Sequence, residues 1–132
     1  MKKNIYIIAN WKMNSNFDES LKFMNQLYSI NDEISEEVKV IICPQNLLIS
    51  NLKDYSNNTN IFLGAQDCHH EIKGPYTGDS SIDLIKSLNC KFVILGHSER
   101  RKFHHETSEI VKKKVALAIS KNIEPILCIG EE

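Results

Sequence analysis

The chain has 132 residues, 42% of them hydrophobic and 25% charged, with a formal net charge of −1. That length bounds it to one domain with a real core. The near-neutral charge argues against nucleic acid or an anionic membrane as its main partner. No apolar run approaches the roughly 18 residues that a membrane span needs. After Met1-Lys2-Lys3-Asn4 only Ile5 to Ala9 are apolar, too short for a secretory core. Four cysteines, Cys43, Cys68, Cys90 and Cys128, lie far apart with no C-x-x-C pair. Such spacing suits reduced thiols, and a cytoplasmic location is expected.

In chain order, five apolar segments predict buried strands: Ile5–Ala9, Val38–Cys43, Asn60–Ala65, Phe92–Leu95 and Ile126–Ile129. Helical signals separate them. Asp18 and Glu19 favour a helix N-terminus, and Phe17, Leu21, Met24 and Tyr28 form one stripe behind them. Pro44 suits a helix start ahead of Leu47, Leu48 and Leu52. Ser80 and Asp83 suggest a short-armed capping box before Leu84, Ile85 and Leu88. Thr107 is placed to cap a helix striped by Val111, Val115, Ala118 and Ile119, with Lys121 and Asn122 at its end. The result is an α/β chain of five strands and four helices, with crossovers long enough for right-handed parallel connections. An open doubly wound sheet and an eight-stranded barrel share this periodicity, which does not separate them. A barrel needs about 250 residues.

The most informative stretch is Lys91 to Arg101, K-F-V-I-L-G-H-S-E-R-R. A short apolar run stopped by glycine reads as a strand buried on both faces, and polar residues placed at once beyond it sit where α/β folds carry their sites. Asn10-Trp11-Lys12, Gln66-Asp67, His97-Ser98-Glu99 and Gly130-Glu131 all fall at such strand ends. In a parallel sheet these share one face. Lys12 there, with little access to bulk water, fits an anionic substrate. His97, opening a helical turn, would meet the positive end of the helix dipole, which favours a neutral imidazole able to donate to a carbonyl oxygen. Plainer readings stay open on residue type alone: a surface lysine, a structural histidine, and a local ion-pair network at Glu99-Arg100-Arg101. Cys68-His69-His70 and His104-His105 lack metal-ligand spacing, and no metal site is expected. No G-x-G-x-x-G or Walker A pattern supports a nucleotide binder.

Asn10-Trp11-Lys12-Met13-Asn14, Gly64-Ala65-Gln66, Tyr76-Thr77-Gly78-Asp79, Gly96-His97-Ser98-Glu99-Arg100-Arg101 and Cys128-Ile129-Gly130-Glu131 together resemble the triosephosphate isomerase family, in its order and at its spacing. The resemblance covers the whole chain but only the first half of that family's (β/α)8 TIM barrel. It implies residues 1–132 as the N-terminal half of a single barrel domain, ending after strand five. By the same resemblance, Asn10 and Lys12 bind substrate, His97 is the neutral electrophile for which this family is the standard illustration, and Glu99 orients Lys12. Gln66 and Cys128 lie near the site as structural residues. Arg100 should pair with an acid on the preceding loop, with Asp79 the candidate.

Lys73 to Asp79 maps to the family's intersubunit loop, which implies a homodimer with Thr77, Tyr76, Met13 and Asn14 at the interface. Pro75 and His105 depart from the family pattern; His105 stands where a glycine usually precedes the Glu matching Glu106, a strain if that glycine needs φ > 0. The implied reaction interconverts dihydroxyacetone phosphate and D-glyceraldehyde 3-phosphate through an enediolate, in glycolysis and gluconeogenesis, with no cofactor. The family's catalytic Glu, lid and phosphate loops would lie beyond Glu132, so the 132-residue chain is expected to be inactive alone, with two open sheet edges. The alternative expectation is a non-catalytic remnant serving at most as an interaction module.

Overall fold

A computed structural model describes residues 3–130. Five strands, β1 (Ile5–Asn10), β2 (Val38–Cys43), β3 (Ile61–Ala65), β4 (Phe92–Leu95) and β5 (Glu124–Leu127), pair in parallel and in chain order. Between them lie α1 (Phe17–Ser29), α2 (Ile49–Leu52), α3 (Ile82–Ser87), α4 (Ser98–Phe103) and α5 (Ser108–Ser120). The described helices are therefore five, because six residues directly after β4 close into a separate turn of helix. The segment after Pro44 is a composite of 3-10 turns around the short α2.

The sheet is curled. Strands β1 and β4 are three pairings apart, about 14 Å in a flat sheet, yet the Tyr6 and Phe92 rings meet edge to face at 6.4 Å between centroids. Phe62 on β3 meets Phe92 at 5.8 Å on the same concave side. The Lys39 ammonium lies over both the Tyr6 and Phe62 rings. Curling separates two apolar layers. Ile41, Cys43, Phe92 and Ile94, with Phe62, Ile126 and Cys128, fill the concave face. Val40, Ile42, Ile61, Leu63, Val93 and Leu95 face the helices, against Met24, Ile49, Leu52, Ile82, Ile85, Val111 and Ala118.

Local signals set most helix ends. Asn16 and Glu19 form a reciprocal capping box at α1. Thr107 caps α5 as expected, accepting from the Ile110 N–H, and Asn122 leaves the helix at φ 57°. The α3 cap is Ser81, not Ser80; its hydroxyl accepts from the Asp83 N–H, while Ser80 turns toward Asn46. Burial also corrects the stripes. Met24 is fully buried, but Phe17, Tyr28, Leu84 and Ile119 are exposed.

The terminal strands differ from their expected burial. Residues Ile5 to Ile8 are 43–54% exposed, because among the described residues β1 has a neighbour on one edge only. Strand β5 begins two residues early and stops before Cys128. Alternate N–H groups explain this: Glu124 donates to the Lys91 carbonyl and Cys128 to Leu95, each at 2.9 Å. Pro125 thus turns its missing donor to the free edge, where proline is tolerated.

Gly64 is required by packing. A Cβ there would lie 2.5 Å from Cys43 Sγ. Gly64→Ala should lower unfolding stability by about 1–3 kcal/mol, and adding Cys43→Ala should recover much of that loss. Denaturant melts of the single and double variants would show it; strictly additive losses would rule out this contact as the cause.

Candidate functional site

The carboxyl ends of β1 to β4 open onto one cleft of about 590 Å³, lined by Asn10, Lys12, Gln66, His97, Glu99 and Arg100 among others. Parallel pairing produces this convergence, since every strand delivers its following loop to the same face. Gly130 is exposed and does not line that cleft, and Glu131 lies outside the described residues.

Lys12 adopts φ 54°. A side chain with Cβ pays about 1–2 kcal/mol in that left-handed region, so surrounding bonds must hold it. The Asn10 Oδ1 accepts from the Lys12 N–H at 2.9 Å, and Gln66 Nε2 donates to the Lys12 carbonyl at 2.8 Å. The ammonium then donates to Glu99 Oε1 at 2.7 Å, across 87 residues of sequence. Contrary to expectation, Lys12 is not cut off from solvent: its side chain is 51% exposed and that of Glu99 46%. The Lys12 hydrogen bond holds the Glu99 carboxyl below its usual range.

Gly96 at φ 69° turns the chain from β4 into α4, and His97 caps that helix. Its Nδ1 accepts from the Glu99 N–H at 3.2 Å. That nitrogen therefore carries the lone pair, and in the neutral ring the proton sits on Nε2. Glu99 Oε2 also lies 3.6 Å from Nδ1, too far for a hydrogen bond. An N–H donor and an ammonium lining one cleft can stabilise an oxygen as negative charge builds on it.

Behind the cleft, two anions and two cations interlock. Arg100 Nε meets Asp67 at 2.9 Å and Glu106 at 3.2 Å. Lys114 Nζ meets the same two acids at 2.9 and 2.8 Å. Asp79, the expected partner of Arg100, instead faces His69 at 3.6 Å. Asp67 wins because it directly follows β3 and Gln66, at the level of α4, whereas Asp79 is carried out on the exposed loop. His105 does take the left-handed conformation, φ 53°, which turns Glu106 inward. Lys114 was absent from the expected set. Its signal was a lysine at helical spacing between Val111 and Ala118. Asn46, which accepts from the Gln66 N–H at 3.0 Å, carried no such signal.

The remaining candidates lie at the rim. Met13 is 86% exposed beside the cleft, and Asn14 Nδ2 donates to the Trp11 carbonyl. Tyr76 and Thr77 are on the exposed loop, where the Tyr76, His69 and His70 rings stack. Among the described residues no three His, Cys, Asp or Glu side chains converge on a metal-sized space. Cys128 is half-buried against the concave layer, and burial raises its thiol. Burial pushes Cys43 and Cys68 up to about 12 and Cys90 to about 11, so all three stay protonated near neutrality.

Burial pushes the Glu106 carboxyl up, but Lys114 and Arg100 outweigh it and hold the acid below its ordinary value. At Asp67 burial prevails and the carboxyl is raised. Burial lowers Lys114, yet its bonds to Glu106 and Asp67 more than reverse this. A depressed acid contributes stability that is present above its unfolded pKa and lost as pH falls through the folded one; Asp67 offsets part of that loss. A raised lysine contributes stability that is lost as pH rises above 10.5 through its folded value. Melting temperature should therefore fall in acid and again in strong alkali. Lys114→Met should remove the part of the alkaline decline that sets in above pH 10.5, while the part due to the buried thiols, which sets in above pH 9.0, persists. It should also cost about 3–5 kcal/mol at pH 7. A variant melting like the unsubstituted chain at both pH values would contradict the cluster's role.

The family model described as triosephosphate isomerase matches residues 5–132. A triosephosphate isomerase of Alkaliphilus oremlandii is 46% identical over 132 residues, covering 99% of this chain and 52% of the relative. That of Buchnera aphidicola is 40% identical over 129 residues, covering 98% and 51%. The crystal structure of triosephosphate isomerase from Bartonella henselae superposes with a TM-score of 0.83 at 37% identity, over 96% of this chain and 52% of that one. The chain spans about half the length of the curated relatives it matches, and its curled sheet is an arc of their (β/α)8 barrel. With the strand-end cleft, this coverage establishes that the chain belongs to the triosephosphate isomerase family.

Proposed function

We propose that the cleft is the electrophilic half of an active site that interconverts dihydroxyacetone phosphate and D-glyceraldehyde 3-phosphate. The observation that carries this reading is His97: its Nδ1 is committed to the Glu99 N–H, leaving Nε2–H as a neutral donor in the cleft that holds the Lys12 ammonium. His97 donates to the substrate carbonyl oxygen while a base takes a proton from the adjacent carbon. Lys12 offsets the charge that grows on that oxygen, Asn10 and Lys12 bind the substrate, and Glu99 orients the ammonium. Completing the isomerisation needs the proton returned to the neighbouring carbon and a second proton passed from the substrate's hydroxyl oxygen to the former carbonyl oxygen beside His97, with no cofactor called for.

The base is not among these groups. Glu99 is taken by Lys12, and Asp67 and Glu106 by Arg100 and Lys114. We therefore read residues 1–132 as the first half of a single barrel domain that depends on further strands for its base, lid and phosphate site. The Lys73–Asp79 loop, with Tyr76 and Thr77 exposed at its tip, and Met13 and Asn14 beside the cleft would form the contacts of a homodimer. A role in glycolysis and gluconeogenesis in the cytoplasm follows from the same reading. The open β1 edge supports one other role, an interaction module without chemistry.

The purified chain should show no isomerase turnover. Mixing it with the segment beyond strand five of the Alkaliphilus relative should restore turnover, and His97→Gln in the mixture should lower kcat by about 10²–10³-fold. A folded mixture with no turnover would favour the interaction module. Turnover by the chain alone, abolished by His97→Gln, would overturn the need for a second half.

A further inference from the structure

Lys12 is held less by its long side chain than by its backbone, and the holding groups come from three strand ends. Its N–H donates to Asn10 at the end of β1. Its carbonyl accepts from Gln66 Nε2, just past β3. The second hydrogen of the same amide goes to the Cys43 carbonyl at 3.0 Å, at the end of β2. That carbonyl also accepts from the Trp11 N–H at 3.0 Å, one residue before Lys12. The Gln66 amide thus has both donors in use, on two carbonyls that flank the same turn. Its backbone N–H is tied in turn to Asn46 Oδ1 at 3.0 Å. A second glutamine acts alike farther along: Gln45 Nε2 donates to the Asn14 and Ser15 carbonyls at 3.2 and 3.4 Å.

We propose that Gln66 is a positioning residue for Lys12, clamping the left-handed turn so that the ammonium is presented to Glu99 and the cleft. The chemistry of the side chain explains the choice. Glutamate has the length but no donor, asparagine has the donors but lacks a methylene of reach, and methionine has neither donor. Without the clamp, Lys12 returns to the ordinary φ region, its Cα–Cβ vector swings, and the ammonium leaves Glu99. The importance of the clamp for chemistry rests on the reading of Lys12 as the substrate-binding cation, but its geometry does not.

The test follows the Glu99 carboxyl by 13C NMR titration in the 132-residue chain, in Gln66→Met and in Lys12→Met. Lys12→Met should bring Glu99 up to the ordinary carboxylate range, and Gln66→Met should bring it most of the way there. A merely structural loss elsewhere would leave the Glu99 titration in place, and a folded Gln66→Met chain with an unchanged titration overturns the proposal. If Gln66→Met does not fold, the unsubstituted chain decides. Both Gln66 side-chain amide protons should exchange far more slowly than those of an exposed glutamine; exchange at the free-amide rate overturns the clamp. Neither readout uses turnover, so failure of the isomerase reading and failure of the clamp give different results.

Discussion

Parallel pairing of consecutive strands into a curled sheet is the constraint on which the rest of this molecule depends. Pairing in chain order sends the loops after β1, β2, β3 and β4 to one face. Curling then shortens the distance between strands that are not neighbours, as the Tyr6–Phe92 contact records on the concave side. The Lys12–Glu99 bond is the same shortening seen at the rim. In a flat sheet the loops after β1 and β4 would be separated by three strand spacings, about 14 Å, and no single side chain would bridge them.

The polar groups at the strand ends divide into two systems with different work. At the rim, Lys12 and Glu99 are half-exposed, so their mutual attraction contributes little to stability and mainly fixes where a positive charge stands. Below, Asp67, Arg100, Glu106 and Lys114 balance two charges of each sign, with Lys114 and Glu106 nearly sealed from water. Removing any one of them strands a charge of the opposite sign. The deeper cluster bolts α4 to the loop after β3 and to α5. The helix that begins at His97 is therefore anchored by buried charge rather than by its own six residues.

The strands and most helix ends were legible because their causes are local. The run Phe92–Leu95 before Gly96 marks a buried strand within a few residues, and Thr107 and Asn122 mark the two ends of α5 by cap chemistry alone. His105 was legible as a strained position, and the structure finds it left-handed. Burial was less legible. Phe17 and Tyr28 belong to the helical stripe of α1, but the curled sheet reaches only Ser20 and Met24 fully. The β1 side chains look like core and are exposed at a sheet edge, because a strand's sequence does not record how many neighbours it has.

By itself, the sequence determined the first four strand segments to within a residue, the parallel α/β class and, through its five motifs, the family. It also determined which side chains carry the polar chemistry of the cleft, since His97, Lys12 and Glu99 stand at strand ends whatever the curvature. Only the tertiary structure decided that Arg100 pairs with Asp67, that β5 starts at Glu124, that Lys114 is buried, and that Gln66 grips the Lys12 turn. The physical reason is range. Caps, turns and apolar runs are written by neighbours in the chain, whereas these pairings join residues whose meeting depends on strand register and on how far the sheet curls.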